Sequence, residues 1–120
     1  MPAQYRIVAD NDFNVPVGQN QLFQFNLPVQ VIRNGPLRPI ISFAVKTNLN
    51  VGQMMFNVDI NGQPQLPGDN ALMGRDEKGV LWEVVNDDVV IPGNNSVRFR
   101  VVAGPVAMRF SDVVIWFQTP

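Results

Sequence analysis

Residues 56–62 carry the sequence Phe56-Asn57-Val58-Asp59-Ile60-Asn61-Gly62, in which apolar and polar side chains alternate before an Asn-Gly pair. Successive side chains of a β-strand point to opposite faces of the sheet, so this period of two predicts a strand with one buried face. Asparagine and glycine both tolerate positive φ angles, and Asn-Gly is a typical corner of a two-residue hairpin. The stretch therefore predicts a strand and a tight turn, with Asp59 on the solvent side of the strand.

The same alternation recurs along most of the chain, whereas helical spacing of apolar residues is almost absent. Turn sequences such as Asn34-Gly35-Pro36 and Pro92-Gly93-Asn94-Asn95 separate the alternating runs. Short strands at this spacing predict an all-β protein, an antiparallel jelly-roll β-sandwich of about eight strands in two sheets. The predicted strands are 4–8, 21–27, 29–33, 39–46, 54–60, 80–85, 88–91, 96–102 and 107–118.

Composition limits the domain count and the chemistry. At 120 residues the chain is long enough to bury a hydrophobic core, and we expect one domain over residues 1–120. It contains neither cysteine nor histidine, so it has no disulfide, no thiolate nucleophile and no imidazole base. No phosphate-binding loop or nucleophile elbow is present either. The sequence therefore predicts a protein that is not an enzyme.

Charge and hydropathy exclude other classes of partner. The formal net charge of -1 gives no general affinity for nucleic acid or anionic lipid. No stretch approaches the roughly 20 apolar residues that a membrane-spanning helix needs, and Met1-Pro2-Ala3-Gln4-Tyr5-Arg6 lacks the features of a secretory signal. The location stays open between the cytoplasm and export as part of a larger assembly.

Candidate ligand-binding residues surround the Asn61-Gly62 turn and lie in the longest irregular stretch, residues 63–78. Hairpin geometry alone explains the turn; alternatively, its carboxylate and amide groups bind sugar hydroxyls. The charge cluster in the long stretch is either a solvated surface or a ligand-binding loop. The candidates are Asp59, Asn61, Gln63, Arg75 and Asp76.

Two tryptophans are further candidates. Alternation places Trp82 on one face with Val80 and Val84, and this apolar set is expected to pack in the core, although an exposed ring would stack on a ligand. Residues 113–117 are apolar on both faces, and Trp116 alternates with Val113, Ile115 and Phe117, so one of the two sets faces away from the main core.

If Val114 and Trp116 are the outward set of the closing strand, three interpretations are open. Val114 and Trp116 form a platform for a sugar ring, or a protein interface beside Arg98 and Arg100, or a second buried layer under a loop. Interface centres are enriched in tryptophan and arginine, which supports a homo-oligomer or a larger assembly.

Carboxylates are the candidate ligands for a metal ion because the chain has no histidine or cysteine. No continuous loop has the alternating acidic residues of an EF-hand, so a calcium site would join distant segments. Acid and base pairs for glycoside hydrolysis could come from the same set, but almost any protein contains such carboxylates. The aspartates considered are Asp10, Asp12, Asp69, Asp87, Asp88 and Asp112.

The order of strands and turns resembles the carboxy-terminal part of galactose-binding-like jelly rolls, the fold of many carbohydrate-binding modules. The resembling residues are 56–62, 82–85, 91–101 and 110–117, and the stretch from 56 to 117 that they span is about half the chain. The resemblance implies a non-catalytic, lectin-like module that binds carbohydrate through loops at one rim. The alternative from the residues themselves is a structural, self-assembling sandwich.

The resemblance also implies a structural calcium ion. In several such modules a carboxylate at the start of the last strand binds calcium together with residues near the amino terminus. Asp112 matches this position by its order in the chain, and Asp10 and Asp12 are possible partners. The amino-terminal segment lacks the acidic pattern of the family, which argues against this calcium site. No other cofactor or metal is expected.

Overall fold

The protein is an antiparallel β-sandwich in the computed structural model, which describes residues 3–47, 54–66, 77–104 and 107–120. The predicted all-β class with two sheets is confirmed. A 3-10 turn over Gly35–Leu37 precedes the fourth strand, and no helix of the described residues is long and apolar enough to cross a membrane. The strands are β1 (Ala3–Ala9), β2 (Phe13–Val15), β3 (Asn20–Leu27), β4 (Ile40–Thr47), β5 (Met55–Ile60), β6 (Gln63–Pro64), β7 (Glu77–Val84), β8 (Gly93–Ala103) and β9 (Met108–Gln118).

The strands form two facing sheets. In the first sheet the order is β1-β9-β4-β7, and β2 also pairs with β9; in the second sheet the order is β3-β8-β5-β6. β9 is hydrogen-bonded to β1 on one side and to β4 on the other, both antiparallel. One face of β9 lines the core, and the other lies in the middle of the outer surface of the first sheet.

Phenylalanine rings fill the space between the sheets. The side chain of Phe99 is fully buried, and its ring centroid lies 4.9 Å from that of Phe110 and 5.3 Å from those of Phe13 and Phe43. Tilted and edge-to-face contacts of this kind are the favoured geometry for aromatic pairs. Because Phe99 belongs to the second sheet and its three partners to the first, these contacts hold the two sheets together.

Two predicted strands are wrong. Residues 29–33 and 88–91 are loops, in each of which a valine amide bonds to a carbonyl three residues earlier and closes a turn. Val31, Val89 and Val90 are nevertheless buried in the core. The apolar residues here signal burial of a loop, and a short apolar run by itself does not separate that case from a strand.

Candidate functional site

Asp59 lies in a buried ion pair, contrary to the prediction that it faces solvent. Its Oδ2 accepts a hydrogen bond of 2.7 Å from Nε of Arg100, and its side chain is only 11% exposed. The outward side of β5 is occupied, because the backbone of Leu66 exchanges two hydrogen bonds of 3.1 Å with the side chain of Asn57. The other carboxylate oxygen, Oδ1, is buried without a hydrogen-bond partner.

We expect Asp59→Ala to lower the free energy of unfolding by about 2 kcal/mol, because it removes the carboxylate oxygen that accepts the hydrogen bond from Nε of Arg100. The effect falls below that of a fully buried pair because the Arg100 side chain retains 28% exposure. Urea unfolding measures it. Asp59→Asn, which keeps an acceptor oxygen but no charge, is expected to lose less, and an Asp59→Ala variant as stable as the wild type would contradict the assignment.

Asn61 forms the predicted hairpin corner and its amide group is already bonded within the protein. The φ angles of +50° at Asn61 and +80° at Gly62 are those of a type I′ turn. The side-chain amide donates to the carbonyl of Val89 at 2.9 Å and to Oδ1 of Asn95 at 2.8 Å, and its oxygen accepts from the amide of Ser96 at 2.9 Å. Asn61 therefore joins the hairpin to the loop before β8.

Two groups of candidates remain: the ligand-binding candidates Gln63, Arg75 and Asp76, and the aspartates Asp87 and Asp88. Gln63 is exposed on the short strand β6, whereas Arg75 and Asp76 lie outside the described residues. Asp87 and Asp88 bond to the Gly35 amide at 3.0 Å and to the Asn34 amide group at 3.1 Å. These hydrogen bonds connect the loop before β8 to the 3-10 turn and its preceding residue.

Trp82 is on the outside of the sandwich, contrary to the prediction that its face packs in the core. Val80, Trp82 and Val84 are all exposed, with Trp82 at 58%. The opposite set provides the core contacts, through Leu81 and fully buried Val85. Both sets of this edge strand are largely apolar, so alternation identifies the two faces without saying which one is buried.

Trp116 connects Trp82 to a third aromatic ring across the first sheet. Its ring centroid lies 5.7 Å from that of Trp82 and 5.5 Å from that of Tyr5, and its indole NH donates to Oγ of Ser42 at 2.9 Å. We call this surface the outer aromatic face. It comprises Tyr5 and Ile7 of β1, Val114 and Trp116 of β9, Ile40, Ser42 and Ala44 of β4, and Val80, Trp82 and Val84 of β7.

The expected patch that joins Trp116 to two arginines is not formed. Arg98 and Arg100 occupy outward positions on β8 of the second sheet, where Arg98 is exposed and Arg100 half-buried. The outward surfaces of the two sheets lie on opposite sides of the sandwich. Val114 and Trp116 therefore belong to a surface that excludes both arginines.

A pocket of about 370 Å³ opens where the bend between β1 and β2 meets β3, and we call it the rim pocket. Carboxylates and amides line it together with two half-buried phenyl rings, whose centroids are 4.8 Å apart. It is lined by Val8, Ala9, Asp10, Asn11, Asp12, Phe13, Gln21 and Phe23.

Sequence reasoning selected two of these residues, Asp10 and Asp12, but as metal ligands, and it missed the others. A signal for the pocket exists in β3, where Gln21 continues the inward row of Phe23 and Phe25. A polar residue at the end of an apolar row indicates that the inward side of the strand is open to solvent at that position.

Asp112 is adjacent to the same bend. It occupies a β-bulge in β9 with a φ of +53°, and the register of β1 and β2 on β9 places the bend at Asp10 and Asp12 opposite it. One oxygen of Asp112 accepts a hydrogen bond of 3.1 Å from the hydroxyl of Ser111. Within the described ranges, no three metal-ligating side chains form a group that could hold an ion. The calcium site stays a prediction.

Glu83 is a carboxylate in a partly apolar setting. Its register partner on β4 is the fully buried Ile41, and partial burial raises the pKa of Glu83 above its usual value. Desolvation disfavours the charged form of an acid, which accounts for the direction.

The architecture is that of a carbohydrate-binding-module type of β-sandwich. No protein-family model and no curated protein sequence matches the chain. Solved structures match at low sequence identity, which shows the fold alone.

Three of these structures cover nearly the whole chain. A domain of latent PorU from Porphyromonas gingivalis aligns with a TM-score of 0.68 and 11% identity over 98% of this chain, which spans only 13% of PorU. The CBM36-1 domain of a multidomain xylanase from the hindgut metagenome of Trinervitermes trinervoides aligns with a TM-score of 0.54 and 6% identity over 99% of this chain and 98% of that domain. A family 35 carbohydrate-binding module from Clostridium thermocellum aligns with a TM-score of 0.51 and 10% identity over 97% of this chain and 99% of that module.

Proposed function

We propose that this chain is a non-catalytic carbohydrate-binding module that holds its ligand in the rim pocket. The observation that carries the proposal is the composition of that pocket, in which Asp10, Asp12 and Gln21 surround the half-buried rings of Phe13 and Phe23. Carboxylates and amides accept hydrogen bonds from hydroxyl groups, and phenyl rings contact the apolar C–H face of a sugar. The similarity in fold to two carbohydrate-binding modules supports the same class of ligand.

Other surfaces of the described chain are less suited to a sugar. The Asn61 amide is used inside the protein, and Asp59 is paired with Arg100. The outer aromatic face offers stacking surface, but its side chains are mostly hydrocarbon and the Trp116 indole NH is bonded to Ser42. A sugar needs hydrogen bonds to its hydroxyl groups and an apolar surface against its C–H face, and the rim pocket supplies both.

The size of the pocket indicates a short ligand. Small-molecule pockets range from about 300 to 1,000 Å³, so a volume of about 370 Å³ is near the lower end. We expect the pocket to hold a chain end or a short segment of a glycan rather than a long polysaccharide.

A glycan array probed with the wild-type protein, with and without Ca²⁺, tests the proposal. We expect binding to a restricted set of glycans, and titration calorimetry with the strongest of them should show about tenfold or greater loss of affinity in Asp12→Ala and in Gln21→Ala, because each change removes a polar contact.

Gln24→Ala is the matched control for Gln21→Ala. Gln24 is exposed on the same strand but on its outward side, so its replacement should leave affinity unchanged. The absence of any glycan hit in both conditions would contradict the proposal, as would equal losses in the Gln21 and Gln24 variants. A requirement for Ca²⁺ would support the predicted metal site near Asp112.

A further inference from the structure

The outer aromatic face is a large exposed apolar surface in the described part of the chain. Tyr5, Ile7, Val80, Trp82 and Val84 are each between 46% and 60% exposed, and partly exposed Val114, Trp116 and Ile40 connect them. Single exposed hydrophobic residues are normal on a protein surface, but a contiguous patch of this kind marks an interaction site.

The area of this face is suited to a protein partner. An aromatic side chain alone carries roughly 200 Å² of surface, and the face as a whole offers on the order of 600 Å² of apolar accessible area. A twofold pair would bury about twice this apolar area. Stable specific interfaces bury roughly 1,200–2,000 Å² in total, so the pair reaches the lower end of that range.

Charge favours a second copy of the same surface. The ten side chains that define the outer aromatic face are all uncharged, so two copies meet without repulsion or a buried unpaired charge. The net charge of the whole chain is only -1, and weak self-repulsion promotes association. Sheets also pack face to face with their strands nearly aligned, about 10 Å apart.

We propose that two copies of this chain pair through the outer aromatic face around a twofold axis, with Trp82 and Trp116 of each copy near the centre. A twofold pair places the same patch on both subunits, so an uncharged apolar sheet face meets a face of the same chemistry. The pairing is independent of the proposed sugar binding, because the side chains that line the rim pocket do not belong to this face.

Sedimentation velocity over protein concentrations of about 5 to 200 µM tests the pairing. We expect the wild type to sediment as a 26.8-kDa species, twice the mass of the 13.4-kDa chain, with buried and therefore blue-shifted tryptophan emission. Val80→Lys should raise the dissociation constant about a hundredfold or more, because it places a charge in the apolar interface of both copies. Trp82→Ala provides a second variant without a new charge and should also weaken the pair.

Leu22→Lys is the control, since Leu22 is 44% exposed on the outward side of the second sheet. It should leave the dimer intact, and far-UV circular dichroism should show that all variants are folded. A wild-type protein that remains monomeric over the whole range would overturn the proposal. A Leu22→Lys variant that dissociates as readily as Val80→Lys would also overturn it.

Discussion

Replacement of Phe99 by alanine is expected to lower the free energy of unfolding by about 4 kcal/mol. The side chain is fully buried and contacts rings of the opposite sheet, Phe43 and Phe110 among them, so its loss removes apolar burial and leaves a cavity between the sheets. Equilibrium unfolding in urea gives the value, because a small single domain normally unfolds in one cooperative step.

The control for Phe99→Ala is Leu22→Ala, which shortens an exposed side chain on β3 and should change stability by less than about 1 kcal/mol. Equal losses in the two variants would contradict the central position of Phe99. So would a Phe99→Ala variant with the m-value and midpoint of the wild type, since m scales with the surface exposed on unfolding.

Asn95→Ala is expected to cost about 3 kcal/mol. The Asn95 side chain is buried, and its oxygen accepts hydrogen bonds of 2.8 Å from the Ile91 amide and from the Asn61 amide group. Its own amide donates to the carbonyls of Ile91 at 2.8 Å and Gly93 at 3.1 Å. Alanine leaves these groups without their partner, and unsatisfied polar groups are costly where water does not reach them.

Asn94→Ala is the matched control, because Asn94 is exposed one position earlier on the same strand and should tolerate the change. A double-mutant cycle with Asn61→Ala measures the link between the hairpin and the loop, and we expect a coupling energy above about 0.5 kcal/mol. Additive losses would show that the Asn61 to Asn95 contact does not couple the two segments.

The backbone of the fold was predictable where local chemistry decides it. The Asn61-Gly62 corner follows from the tolerance of both residues for positive φ, and the central place of β9 follows from its apolar character on both faces. The burial of Asp59 was not predictable in the same way. It depends on Arg100, a residue 41 positions away in the chain, and on a neighbouring segment that binds the outward side of β5.

The candidate sites were likewise predictable only in the features that neighbouring residues of the sequence decide. The alternation in β7 correctly separates Trp82 from Leu81, but two apolar sets give no local indication of which one faces the core. The rim pocket joins residues 8–13 to Gln21 and Phe23, which lie on segments that the fold brings together. The local sign of that pocket was Gln21, the polar residue at the end of the apolar row in β3. This sign can be read only once the row is known to face inward.

The most direct test of the proposed function is a titration of ¹⁵N-labelled protein with the strongest glycan from the array, followed by amide chemical shifts. Binding in the rim pocket predicts that the largest shift changes fall on residues 8–13 and 21–23. Changes confined to the strands around Tyr5, Trp82 and Trp116, or no change at saturating glycan, would contradict it.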